Sequence, residues 1–292
     1  MPTSSIDGKT IGKIGIVIMK VQKLKLYVIK CVLKYFLTFI CTILLLMTEF
    51  NLDRYQAGNV YLIQDTQIEV TTVITKKDNT LPLTTAKVGP INNVLHSLFS
   101  SVRLTINDVP ITISPLNYPY KCYISNCLTY SSLVKAAQLS TEGWYSDFSG
   151  HFGATDSNAG FKERSELYRE GYGSTTAYRK SGTTFFGRLM HDLISCTTGL
   201  PPNSKVKIEL DRSDDAFVIM CEDSDHEQYV MKITNICLFV PVAELSQTVF
   251  SEINNLMTVK NKSIAIHYRR TEIRNITYKN RLFSIKFFYF FP

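Results

Sequence analysis

A mainly β fold with inserted helices is predicted by three features of this 292-residue sequence. Short runs alternate apolar and polar residues with a period of two, as in Val102, Leu104 and Ile106 against Arg103, Thr105 and Asn107, the pattern of a half-buried strand. Asn107-Asp108 is a turn signal after which Val109, Ile111 and Ile113 resume the alternation, so Ser101 to Ile113 predicts a β-hairpin. Sixteen Tyr and seventeen Phe accompany recurrent Thr, Val and Ile, the residue types that fit a pleated surface. With 45% apolar and 20% charged residues, the chain can bury one large or two modest cores and is too apolar for disorder.

The N-terminal segment, 1–50, differs from the rest. Seven lysines and one acid, Asp7, lie between Met1 and Lys34, and an uncharged run of thirteen residues follows from Tyr35 to Met47. Basic residues before an apolar core are the pattern of a signal anchor. A span of about 20 residues is reached only by starting at Leu26 and letting Lys30 and Lys34 snorkel. Two readings stand: a membrane segment over 26–47, or a leading stretch foreign to the fold with Met47 as the start.

The β pattern begins at Asn59. Val60 to Ile63 is a short apolar run, and Gln67 to Thr75 places Ile68, Val70, Thr72 and Ile74 on one face with Glu69, Thr71 and Val73 on the other. Lys76 to Asn79 is a polar turn. After a Gly-Pro break, Val94, Leu95, Leu98 and Phe99 form an apolar segment leading into the hairpin. Tyr120 to Tyr130 then has Tyr120, Tyr123, Ile124, Cys127 and Leu128 at helical spacing, continued by Leu133, Val134, Ala137 and Gln138. This predicts amphipathic helices whose aromatic stripe packs on a sheet.

Gly143 to Gly187 holds eight glycines and a short charged helix from Phe161 to Arg169, a long excursion of the kind that projects from a rigid scaffold. Strands are predicted over Lys205–Leu210, Ala216–Cys221 and Tyr229–Val242, the last broken by Pro241. A helix over Leu245–Met257 and a strand over Ile264–Arg269 follow.

Charge and motif content argue against most chemistries. The ends carry about +6 each, and the body from Tyr35 to Lys260 about −5, so nucleic acid is expected at most by non-specific charge at the termini. The seven cysteines, at 31, 41, 122, 127, 196, 221 and 237, include no C-x-x-C and no zinc spacing with His, which favours buried thiols. Gly171 to Thr175 lacks the phosphate-loop ending, no H-E-x-x-H occurs, and His191-Asp192 are adjacent and would not share a face. His96, in an apolar segment, is expected as a hydrogen-bonded core residue. Asp211, Asp214 and Asp215, and Glu222, Asp223 and Asp225, are expected as solvated turns without the calcium-loop pattern. No catalytic residue, cofactor, metal or small-molecule substrate is implied, and the chain is read as no enzyme.

Four blocks carry a family resemblance. Gly89-Pro90-Ile91-Asn92-Asn93 with His96-Ser97-Leu98-Phe99 is the first. Tyr118-Pro119-Tyr120 heading a helix with Tyr123-Ile124 is the second, Gly187-Arg188-Leu189 with Asp192-Leu193 the third, and Arg212-Ser213-Asp214-Asp215-Ala216-Phe217 with Met220 the fourth. In this order they resemble the double jelly-roll major capsid proteins of Maverick/Polinton elements and their adintovirus relatives, over about Asn59 to Asn280. The resemblance implies an antiparallel jelly-roll sandwich with inserted helices, the first roll over 51–244 and an incomplete start of a second over 245–292. It implies a capsid subunit whose full-length form makes homotrimers and lattice contacts and, where functional, is located in the virion, here a decayed or truncated copy.

The rival reading is a single-pass, type II membrane-anchored β-sandwich binding protein, with its lysines cytoplasmic and Asn261 and Asn275 as glycosylation acceptors.

Overall fold

The computed structural model describes residues 26–30, 47–52, 59–112, 117–171, 176–196, 198–201, 204–222, 228–260, 265–269, 271 and 273. Its strands are β1 (Leu26–Lys30), β2 (Met47–Asn51), β3 (Asn59–Tyr61), β4 (Gln67–Lys76), β5 (Gly89–Pro90), β6 (Phe99–Ile106), β7 (Val109–Pro110), β8 (Thr183–Arg188), β9 (Val206–Arg212), β10 (Ile219–Met220) and β11 (Tyr229–Glu244). Its helices are α1 (Val94–Ser97), α2 (Tyr118–Thr129), α3 (Ser132–Ala137), α4 (Ala159–Glu166), α5 (Asp215–Val218) and α6 (Gln247–Asn254).

Every strand pairing is antiparallel. One sheet runs β1-β11-β4-β8 with β3 also on β11, the other runs β2-β9-β6-β7, and β5 pairs with β10. Their apolar faces meet in one cluster: Ile68, Val70, Phe185, Met231 and Leu238 from the first sheet, Phe50, Val102, Leu104, Ile208 and Leu210 from the second. Alternating side chains on both sheets therefore bury one face each, and the period-two pattern follows from this sandwich.

The hairpin turn forms where predicted, but its first strand starts at Phe99 and its return strand is only Val109–Pro110, with 111–112 outside any strand and Ile113 outside the described residues. Asn107 and Asp108 both have positive φ, 48° and 64°, the requirement of a two-residue turn whose twist matches the strands. On β4 the predicted inner face is buried, and Val73 and Thr75 of the other face are buried too. β11 is one strand of sixteen residues rather than one broken at Pro241. It pairs with β4 up to Phe239 and with β3 from Val242, so Pro241 falls where the strand changes partner on that side.

Several expectations are corrected. Ala216 to Cys221 is not a strand: α5 occupies its first residues, and only Ile219–Met220 pair, with β5. Residues 265–269 form no strand, while Ile264 lies outside the described residues. The ends of the expected membrane segment are strands of the body. Leu26–Lys30, rich in β-formers, pairs with Cys237–Pro241, and Met47 opens β2 against β9; Tyr35, within 31–46, lies outside the described residues. No helix among the described residues is long and apolar enough to cross a membrane. Asn261, Asn275, Asp223 and Asp225 also lie outside them.

The face of α2 is the sharpest reversal. Tyr118, Cys122 and Asn126, at i, i+4 and i+8, are buried, whereas Tyr120 is 54% and Leu128 76% exposed. On α3, Leu133 is 77% exposed. Asn126 is buried because its amide donates to Asn93 Oδ1 at 3.2 Å, so a polar residue occupies the inner stripe. Asn126→Ala is expected to destabilise the protein by about 1–3 kcal/mol, as a lost buried hydrogen bond does, and Leu128→Ser by less than about 0.5 kcal/mol. Chemical denaturation of the two variants distinguishes the faces.

Candidate functional site

The structure brings parts of the signature blocks together: α1 lies against α5 and β8, while β5 lies against α4 and β10. Asn93 carries the chain into α1 with φ +58°, a left-handed conformation that asparagine tolerates. Its amide donates to Oδ1 of its neighbour Asn92, which also accepts from the Tyr145 amide, at 2.8 and 3.0 Å. Ser97 Oγ donates back to the Asn92 carbonyl at 3.0 Å. Gly89 lies against Ser165 and Phe161 of α4, so a Cβ there would come within 3.0 Å of Ser165 Cβ.

Leu98 and Phe99 join this block to the fourth. The Ser213 amide donates to the Leu98 carbonyl at 2.9 Å, and Phe99 pairs with Arg212 across β6 and β9. Arg212 meets Asp215 Oδ1 at 2.6 Å and also donates to the Met231 carbonyl, while the Met231 amide donates to Asp215 at 3.0 Å. The acidic turn is thus bonded rather than merely solvated: Asp211 pairs with Arg103 at 2.8 Å. Ala216 is exposed, and Phe217 is half-buried with its ring 5.8 Å from that of Tyr120.

At the centre is Glu142, which the sequence did not single out. Its Oε2 lies 3.2 Å from His96 Nε2, and the other ring nitrogen is 2.9 Å from the Tyr118 hydroxyl. Glu142 Oε1 accepts from the Arg188 amide at 3.4 Å. It occupies the space over Gly187, where a Cβ would fall 2.4 Å from that oxygen, which explains why the third block begins with glycine. Leu189 continues from there by donating its amide to the Thr66 carbonyl at 2.9 Å.

A second buried charge pins the Gly-rich excursion. Arg164, 1% exposed on the helix expected as short and charged, donates to the Pro90 and Tyr145 carbonyls at 3.0 and 2.9 Å and to Asp147 Oδ1 at 2.8 Å. Asn158, the N-cap of α4, donates to the same Asp147 oxygen at 2.8 Å. Arg169 binds the carbonyls of Thr84, Thr176 and Ala86 and lies 4.4 Å over the Tyr178 ring. The excursion therefore folds back onto β5, and the exposed aromatics Phe148 and Phe152 mark the part that projects. A buried guanidinium needs such full pairing, and it was hidden because α4 has no apolar periodicity.

His191 and Asp192 have separate partners, as their adjacency predicted. His191 bonds to the Ile63 carbonyl, and Asp192 to Lys121 at 2.7 Å.

Cys122 also interacts with the His96 ring, whose Nε2 meets Glu142 and whose Nδ1 meets Tyr118, so a thiol, an imidazole and a carboxylate lie together. Those are the parts of a nucleophilic site. Cys122 and His96 are, however, 0% and 1% exposed, and no substrate reaches them. Their arrangement is a clamp inside the core. Among the described residues no group of three His, Cys, Asp or Glu is placed to hold a metal ion, and Cys122, Cys127, Cys196 and Cys237 form no disulfide.

The fold and this clamp define an antiparallel jelly-roll sandwich. Over 85% of the chain it resembles a chain in the cryo-EM structure of the Sputnik virophage, with a TM-score of 0.53, 11% identity and 53% of that chain covered. A chain of a quasi-atomic model of the PBCV-1 virus capsid aligns with 71% of this chain and 40% of its own, at a TM-score of 0.33 and 13% identity. An uncharacterized protein of Caenorhabditis elegans is 23% identical over 187 residues, which are 64% of this chain and 41% of that protein. The chain thus spans about half or less of the length of each. No protein-family model matches it.

The clamp gives two tests. Burial opposes a charge on His96, but Cys122 and the Glu142 carboxylate outweigh it and push its pKa up to about 10. A folded-state value above the ordinary 6.5 gives stability that is complete below about pH 6.5 and lost as pH rises through about 10. Stability of the wild type, followed by denaturant titration, is expected to fall over this window by up to about 1.4 kcal/mol per pH unit, with His96→Gln flatter.

Glu142→Gln is expected to cost about 3–5 kcal/mol, the penalty for breaking a buried pair. Gly187→Ala is expected to cost about 1–3 kcal/mol, and most of that cost should vanish in a Glu142→Ala background. A double-mutant cycle measures the coupling.

Proposed function

We propose that this chain is a structural subunit of a capsid-like shell, with the double jelly-roll architecture of Maverick/Polinton major capsid proteins. The observation that carries the reading is the fold likeness to a chain of the Sputnik virophage over 85% of this sequence. It agrees with the family resemblance, which rests on four short blocks of the sequence. Residues 51–244 form the first roll, and 245–292 begin the second. On this reading its site of action is the virion.

The interior supports a wall element. Its buried chemistry is geometric: polar groups that bond one another fix a single arrangement of sheets and loops. Assembly then depends on surfaces. α2 and α3 expose Tyr120, Leu128 and Leu133 on one side of the molecule, and neighbouring subunits would cover such apolar side chains. A homotrimer with further lattice contacts is the assembly that the resemblance implies.

Multi-angle light scattering of the purified chain over a wide concentration range tests this. Trimers and larger species are expected. A double variant, Leu128→Glu with Leu133→Glu, should shift them towards monomer with little change in melting temperature, because both side chains are exposed. A wild-type chain that stays monomeric at every concentration refutes the proposal.

A further inference from the structure

We propose that the contact between the two short 3-10 turns Ile63–Asp65 and Asp192–Ser195 is an acid-released latch, closed by the neutral ring of His191. The ring is buried and bonded on both sides. Nε2 lies 2.9 Å from the Ile63 carbonyl oxygen, which can only accept, and Nδ1 accepts from the Leu193 amide at 3.1 Å. These two bonds fix the neutral tautomer with its hydrogen on Nε2. A second proton, on Nδ1, would point at the Leu193 N–H. Two donors would then face each other where little water can intervene.

The surroundings reinforce this. Burial is the largest influence disfavouring the charged ring, and the cations of Arg188 and Lys121 add to it. Asp192 works the other way, but its carboxylate is engaged by Lys121 at 2.7 Å. The balance holds His191 down to about 4. Arg188 is part of the same contact: it donates to the Gln64 carbonyl at 2.9 and 2.7 Å, to the Ile194 carbonyl at 3.5 Å, and pairs with Asp65 at 3.3 Å.

The latch holds the end of a strand. Ile63–Asp65 leads directly into β4, and Asp192–Ser195 follows β8, the strand that lies beyond β4 in its sheet. Their pairing begins at Gln67 opposite Arg188, and the Leu189 amide donates to the Thr66 carbonyl at 2.9 Å. Protonation of His191 therefore frees this end of β8 and leaves the β6–β9 pairing untouched. A group whose folded value is depressed from 6.5 to about 4 contributes stability that is present above about pH 6.5 and lost as pH falls towards 4. Opening should rise by up to about tenfold per pH unit across that window.

Hydrogen exchange on the isolated chain tests this independently of any assembly. After correction for intrinsic rates, the amides of Leu193, Leu189 and Thr66 should lose protection by up to about tenfold per pH unit from about pH 6.5 to about pH 4. Those of Leu104 and Ile208 should not follow. In His191→Gln, whose amide can donate and accept in the same two directions without titrating, protection should stay level. Unchanged wild-type protection down to about pH 4, or an equal loss in His191→Gln, overturns the proposal. Should the variant fail to fold, the wild-type His191 ring is followed by NMR. Titration well below 6.5 together with loss of Leu193 protection supports the latch, whereas titration near 6.5 with protection retained sinks it.

Discussion

A carboxylate that is removed from water must find partners on every side, and Glu142 does so by drawing three parts of the chain together. His96 from α1 supplies the opposing charge, and the Arg188 amide a further donor. Gly187 supplies room, having no Cβ to displace the carboxylate. If any one of these is altered, an ionised group is left in a dry core, where the cost of poor pairing is several kcal/mol. Much of the surrounding architecture follows from this constraint. α1 must start with a left-handed Asn93 so that His96 faces inward, and α2 must turn Tyr118 and Cys122 towards the same ring.

The regular sheets were the legible part of the sequence. β4, the β6 hairpin and β11 bury alternating apolar residues, so their period of two records the sandwich directly. α2 misled because two stripes competed. Tyr120, Tyr123, Ile124, Cys127 and Leu128 have the larger apolar content, yet Tyr118, Cys122 and Asn126 form the inner face. Hydrophobicity ranks the first stripe higher, whereas burial was decided by an amide pair, Asn126 with Asn93. A helical wheel cannot see a partner 33 positions away.

The excursion after Gly143 shows the same limit. Arg164 and Arg169 are buried, although arginines are on average solvent-facing. Their burial depends on carbonyls of Pro90, Tyr145, Thr84 and Ala86, which are distant in sequence and carry no side-chain signal. Glu142 gave no local sign at all. Gly187 was noticed as part of a block, and its steric relation to Glu142 became visible only in three dimensions. Contacts of the signature residues, such as Ser213 to Leu98 and Arg188 to Glu142, link segments that are distant in sequence.

The return strand of the hairpin has a further consequence. Ile111 points its amide inward, to the Leu104 carbonyl at 2.8 Å, so the preceding residue on this alternating backbone faces outward, and that residue is Pro110. The rung that would recruit another strand has no hydrogen to offer. This margin of the sheet is closed to self-templated growth, so copies crowded together would meet through side chains, with their shapes and orientations intact, instead of fusing backbone to backbone.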